Sequence, residues 1–151
     1  MGQPTRFYDD PAYGVLQRMT MGKAADAALG SAFAAQTVFD RKTFMTGVTV
    51  LDANLEVHTG ATCTGTGGVA TEVWTLKVGK SAAGTAAITA IGTATVGTAG
   101  QANGTVIDMT VTETDFADGD DLVFYTDAGT ALGDNSLVAR ASVEFMERYT
   151  S

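Results

Sequence analysis

From Phe33 onward the chain alternates apolar and polar residues with a period of two. Leu51, Ala53, Leu55 and Val57 fall on one side of such a run, and Asp52, Asn54, Glu56 and His58 on the other. Trp74, Leu76 and Val78 oppose Val73, Thr75 and Lys77, and Ile107, Met109 and Val111 oppose Asp108, Thr110 and Thr112. Leu122 and Phe124 oppose Val123 and Tyr125. Leu137, Ala139, Ala141, Val143 and Phe145 oppose Val138, Arg140, Ser142 and Glu144. Phe33, Ala35, Thr37 and Phe39 form a first run with the same period. Successive side chains of an extended strand point to opposite faces, so each run predicts a strand with one buried face.

Glycine-bearing clusters at 64–68, 82–85, 98–104 and 127–130 separate these runs and supply turn chemistry. In segment 86–96 the apolar phase slips near Gly92, which predicts a bulge or bend there. About eight strands joined by such turns make a two-sheet sandwich of jelly-roll type or a small barrel. The period itself does not separate the two. The reading adopted is all-β: a two-sheet antiparallel sandwich of jelly-roll type over residues 31–151, with an extended N-terminal arm over residues 1–30.

The first thirty residues differ in character. Asp-Asp-Pro-Ala-Tyr-Gly at 9–14 is turn chemistry, and Lys23 to Leu29 is a short run of helix formers ending at Gly30. So short a helix is marginal alone, which predicts an arm that orders against something else. A frayed terminus is the alternative. Phe7, Tyr8, Tyr13, Val15 and Leu16 are the expected anchors of the arm, because aromatic side chains are enriched in interfaces.

Composition narrows the classes. Apolar residues are 45% and charged residues only 17% of 151, so the chain can bury a core and is not a disordered acidic segment. The net charge is −8, and residues 101–151, with ten acidic and two basic side chains, hold that excess. Without a basic stripe to neutralise phosphates, nucleic acid is not expected as a partner. No apolar run approaches a membrane span, and the first residues lack the pattern of a signal peptide. The single cysteine, Cys63, allows no intrachain disulfide and suits synthesis in a reducing compartment.

Candidate chemistry concentrates at Thr114 to Thr126, where Asp115, Asp118, Asp120 and Asp121 cluster. An EF-hand with Asp118 and Gly119 at loop positions 5 and 6 would put Thr114, Phe116 and Tyr125 at liganding positions, so that motif is absent. Three readings stay open: a hydrated Asp-Gly turn leading into a strand, an adventitious or structural cation, and a catalytic carboxylate pair. The turn needs nothing more than the local sequence and is preferred, with Asp120 and Asp121 solvating the start of the strand and Thr114 and Asp115 capping the turn. His58 lies on the polar face of its strand and reads as a surface residue. No Gly-x-Ser-x-Gly elbow surrounds any serine, Cys63 has no second thiol for zinc, and Gly65, Gly67 and Gly68 lack the Lys-Ser/Thr of a phosphate loop. Trp74 reads as core, and Tyr125 and Tyr149 as the aromatics to expect at the surface. No cofactor is expected.

Four stretches in order carry a family resemblance: Trp-Thr-Leu-Lys-Val-Gly-Lys (74–80), Ala-Ile-Gly-Thr-Ala-Thr (90–95), Thr-Asp-Phe-Ala-Asp-Gly-Asp-Asp-Leu (114–122), and the long alternating strand 136–145. Together they resemble the jelly-roll capsid decoration, or cement, proteins of tailed bacteriophages. The resemblance covers residues 33–149, consists of strand and turn chemistry, and extends also to phage fibre and head-spike modules. It implies a non-enzymatic virion protein, made in the host cytoplasm, that binds the outer capsid surface as a homotrimer. Its partner would be the major capsid protein, whose neighbouring subunits it would cement together. The competing class is a head-fibre or receptor- or carbohydrate-binding jelly roll, with calcium at the acidic turn.

Overall fold

The computed structural model describes residues 16–23, 36–59, 74–96, 104–127 and 138–148. Among them are nine strands: β1 (Leu16–Lys23), β2 (Thr37–Thr43), β3 (Val48–Thr59), β4 (Trp74–Ser81), β5 (Thr89–Val96), β6 (Val106–Met109), β7 (Thr114–Phe116), β8 (Asp121–Thr126) and β9 (Val138–Glu147). All pairings are antiparallel. The first sheet has the order β1-β9-β3-β6, with β7 also on β3, and the second has the order β2-β8-β4-β5. β6 pairs with Ala53–Glu56 and β7 with Val48–Val50, so the two are pieces of one interrupted strand. Counted that way the described residues form eight strands, and the chain crosses between sheets at every connection except β4 to β5. This is the jelly-roll order, and it selects the sandwich over the barrel.

The core lies between the sheets. Ala53, Leu55 and Val57 of β3 and Ala139, Ala141, Val143 and Phe145 of β9 face Leu76 and Val78 of β4 and Leu122 and Phe124 of β8. At one end Phe44 packs against Phe116 and Phe145, each at 5.2 Å between ring centroids. The antiparallel path gathers the β2–β3, β4–β5 and β7–β8 connections at this same end, with the start of β1 and the end of β9.

Several expectations change. Leu51 is half-buried and off the core face, because a register shift between Val50 and Asp52 moves the phase by one; Val48 and Val50 are the buried residues before it. The slip near Gly92 is present: Val78 pairs with Gly92 and Gly79 with Ala90, leaving Ile91 as the extra residue. β8 is buried on both faces. Tyr125, expected at the surface, is 2% exposed, and its outward neighbour Val123 is 0% exposed. Gly79 explains the cover: a Cβ there would stand 2.7 Å from Ile88 Cγ2 and 2.9 Å from Tyr125 Cε1. The absent side chain lets the β4–β5 connection lay Ile88 against the outside of the sheet.

Part of the expected arm is also a strand. Residues 16–23 form β1, paired residue for residue with β9 from Leu16–Met146 to Lys23–Ala139. Met21 is buried and Met19 packs against the core, an alternation that the helix formers after Lys23 obscured. The expected helix beyond Lys23, the run at Phe33 and Ala35, Cys63 with its glycine-rich loop, Leu137 and Tyr149 lie outside the described residues, as does the side chain of Trp74.

Candidate functional site

The acidic stretch sits at the end of the sandwich that carries the Phe44 cluster. Ala117, Asp118, Gly119 and Asp120 form a tight turn, with Asp120 N donating to Ala117 O at 3.1 Å and Gly119 at φ 85°. That backbone conformation favours glycine at the third position. The loop after β2 locks onto the turn: Phe44 N donates to Asp120 O at 2.9 Å, and Gly119 N to Phe44 O at 2.8 Å.

Asp120 differs from the expected solvated residue. It is 5% exposed, and its carboxylate accepts hydrogen bonds from Ala117 N at 2.8 Å and Ala83 N at 3.0 Å. Lys80 Nζ stands 2.9 Å from Asp120 Oδ2, donates to Asp115 O at 2.6 Å and lies 5.3 Å from the Phe116 ring centroid. Asp120 therefore ties the β4–β5 turn, the β7–β8 turn and the end of β4 together. The hydrogen bond from Lys80, and then that from Ala117, hold its carboxyl below the usual aspartate range.

The other aspartates take separate partners. Asp115 accepts from Thr49 Oγ1 at 2.7 Å and pairs with Arg148. Asp121 accepts from Thr43 Oγ1 at 2.6 Å and pairs with Arg41. Both have lowered pKa values, with those threonine hydroxyls the leading cause. Asp118 is exposed at the tip of the turn. Thr114 donates to Thr112 O at 2.6 Å, so the turn is capped by Asp120 rather than by Thr114 and Asp115. The structure does not bring the four carboxylates together: each of three is held ionised by its own donors, whereas general acid catalysis needs one held protonated. Among the described residues no three His, Cys, Asp or Glu side chains are grouped as metal ligands.

His58 is half-buried on the outer face of the first sheet, where Arg140 Nε donates to its Nε2 at 3.1 Å. Of the expected arm anchors, Leu16 opens β1 and is 54% exposed. Phe7, Tyr8, Tyr13 and Val15 lie outside the described residues. Sequence reasoning missed Lys80, which joins Asp115 and Asp120 from a different strand. Its position in "Leu-Lys-Val-Gly-Lys", in phase with Leu76 and Val78, was the available signal.

No protein-family model and no curated protein sequence matches the chain. Among solved structures, a chain in "Capsid of Ralstonia phage GP4" is similar over 100% of this chain and 93% of its own, at TM-score 0.51 and 19% identity. A chain in "Structure of infectious bursal disease virus Gx strain" aligns over 92% of this chain and 42% of its own, at 14% identity and TM-score 0.27, too low to bear on the fold. The first likeness shows that the whole of this fold occurs in a structure of a viral capsid.

Proposed function

We propose that this chain is a structural virion protein without enzymatic activity, which binds the outer capsid surface as a trimer and ties neighbouring shell subunits together. Its partner is the major capsid protein. The observation that carries this reading is the likeness of fold, over nearly the full length of both chains, to a component of a phage capsid structure. The commitment of Asp115, Asp120 and Asp121 to internal donors is in keeping with it, since these carboxylates serve to hold loops. A trimer presents three tethered contacts at once, so weak individual contacts add up to tight attachment.

Residues 1–15 supply the arm in this proposal, with Phe7, Tyr8, Tyr13 and Val15 as anchors and Leu16 where the arm joins the sheet. Because residues 16–23 are β1, the deletion that tests the arm stops at residue 15. The shortened chain is expected to keep a folded sandwich and lose capsid binding; undiminished binding would remove the arm from the proposal.

Quantitative mass spectrometry of particles purified from the source tests the function itself. Copy number near parity with the main shell protein, or a simple fraction of it, is the expected result. A few copies per particle would indicate a fibre or vertex spike. Absence from particles would overturn the virion role and favour a glycan-binding jelly roll.

A further inference from the structure

The strands at the sheet edges are not alike. β2 has a register shift between Val38 and Asp40 and carries the charged run Asp40-Arg41-Lys42. β5 has its extra residue at Ile91, whose carbonyl accepts a bond from Thr112 N at 2.9 Å. β6 and β7 are four and three residues long. Bulges, charge and shortness are the devices by which proteins keep an edge from recruiting another strand. β1 has no bulge, is not short and carries little charge. It is eight residues long, runs in unbroken register with β9, contains no proline, and before its terminal Lys23 has one charged residue, Arg18, already paired with Glu144.

The outer side of this edge can be read from one bond. Gly22 N donates to Asp40 Oδ2 at 3.2 Å. Asp40 belongs to β2, so this amide points away from β9. Amide directions alternate along a strand, so the amides of Arg18 and Thr20 point the same way. Among the described residues no strand pairs with this side of β1. Asp40 closes the Gly22 end of the edge, and among the described residues the Leu16 end stays open, with Leu16 exposed.

We infer that the open edge of β1, from Leu16 to Thr20, is a docking site for an extended peptide segment of a partner protein, which adds a strand to the first sheet. The inference rests on the capsid-binding reading for the source of that segment, the shell protein. A second copy of β1 fits less well. An antiparallel pair of β1 strands centred on Met19 places Leu16 opposite Gly22, whose amide Asp40 already holds, and such a pair in any register needs a two-fold axis that the proposed trimer does not have. A peptide that begins opposite Thr20 and runs past Leu16 meets no such block. Main-chain bonds to Arg18 and Thr20 would hold it, so it needs free amides there rather than a fixed sequence, and an apolar side chain to cover Leu16.

The test uses particles purified from the source and stripped of this chain. Thr20→Pro deletes the outward amide and no bond to β9, whereas Thr20→Ala keeps it. Thr20→Ala is expected to bind like the wild type, and Thr20→Pro about tenfold more weakly or worse, with its thermal unfolding close to that of the wild type. Hydrogen exchange on the wild type gives a reading that does not depend on the variant folding: binding is expected to slow the amides of Arg18 and Thr20. Undiminished binding by Thr20→Pro, or binding that leaves those amides unslowed, overturns the edge as the docking site. A wild-type chain that leaves stripped particles bare overturns the capsid-binding reading itself and with it the shell protein as partner.

Discussion

On the outer face of the first sheet, β9 and β3 present Arg140, Ser142, Glu144, Asp52, Asn54 and Glu56, all at least partly open to solvent. On the outer face of the second, β8 presents Val123 and Tyr125, both buried, with Ile88 against Gly79 and Lys77 paired with Asp127 beside them. The strands of both faces alternate, yet the second face is closed over β8, while Val38 of β2 and Thr93 and Thr95 of β5 on the same face stay exposed. The connection that follows β4 contributes to the difference. It lays Ile88 against Gly79, beside the Tyr125 ring, on a face that alternation would leave wet.

The comparison breaks most severely at Gly79. Besides Ile88 and Tyr125, a Cβ there would meet the backbone oxygen of Thr89 at 2.8 Å, which no rotamer change can relieve. Gly79→Val is expected to destabilise the fold by about 3 kcal/mol, read from urea unfolding.

Removing Asp120 comes next in size. Asp120→Ala leaves the amides of Ala83 and Ala117 without their acceptor and Lys80 without its carboxylate partner, at about 2 kcal/mol near neutral pH. The pKa of Asp120 is lowered from 3.8, so its contribution is present above that value and is lost as pH falls through the lower native one. Asp115 and Asp121 act in the same direction. Wild-type stability should therefore fall in acid below about pH 4, and the variant should show a shallower acid slope in urea titrations at stepped pH.

Tyr125 sharpens the contrast at the alkaline end. Burial, with the nearby Asp127 charge, pushes its phenol up to about 12. A raised native pKa gives stability that is complete below the unfolded value near 10 and is lost as pH rises through about 12. Tyr125→Phe is expected to flatten that alkaline loss, measured by circular dichroism across the range. The smallest effect belongs to the solvated face: Arg18→Ala removes a surface ion pair with Glu144 and should cost about 0.5 kcal/mol or less.

The fold was legible wherever one face of a strand meets water. Leu55 and Val57, Leu76 and Val78, and Ala139 to Phe145 mark their buried face by alternation, and the slip at Gly92 marks its bulge. Tyr125 could not be read that way, because Ile88, which reaches its side of the sheet at Gly79, lies more than thirty residues earlier in the chain. β1 was hidden by length: Met19 and Met21 give two apolar teeth, too few to outweigh the helix formers that follow. At the acidic turn, Asp-Gly announced the backbone. The burial of Asp120 depends on Lys80 and Ala83, which the sheet brings to it from another hairpin.

The pairing of β1 with β9 also has a consequence for how the chain folds. Leu16 finds Met146 across almost the whole sequence, and β9 is the strand that joins β1 to β3. A ribosome therefore exposes β1 long before its partner exists, and the first sheet can close only after residue 147 has emerged. Such distant pairings place folding on the order of milliseconds to seconds. Until the last strand arrives, the first must be kept from pairing with the wrong neighbour, and that interval is the point at which misassembly is costliest.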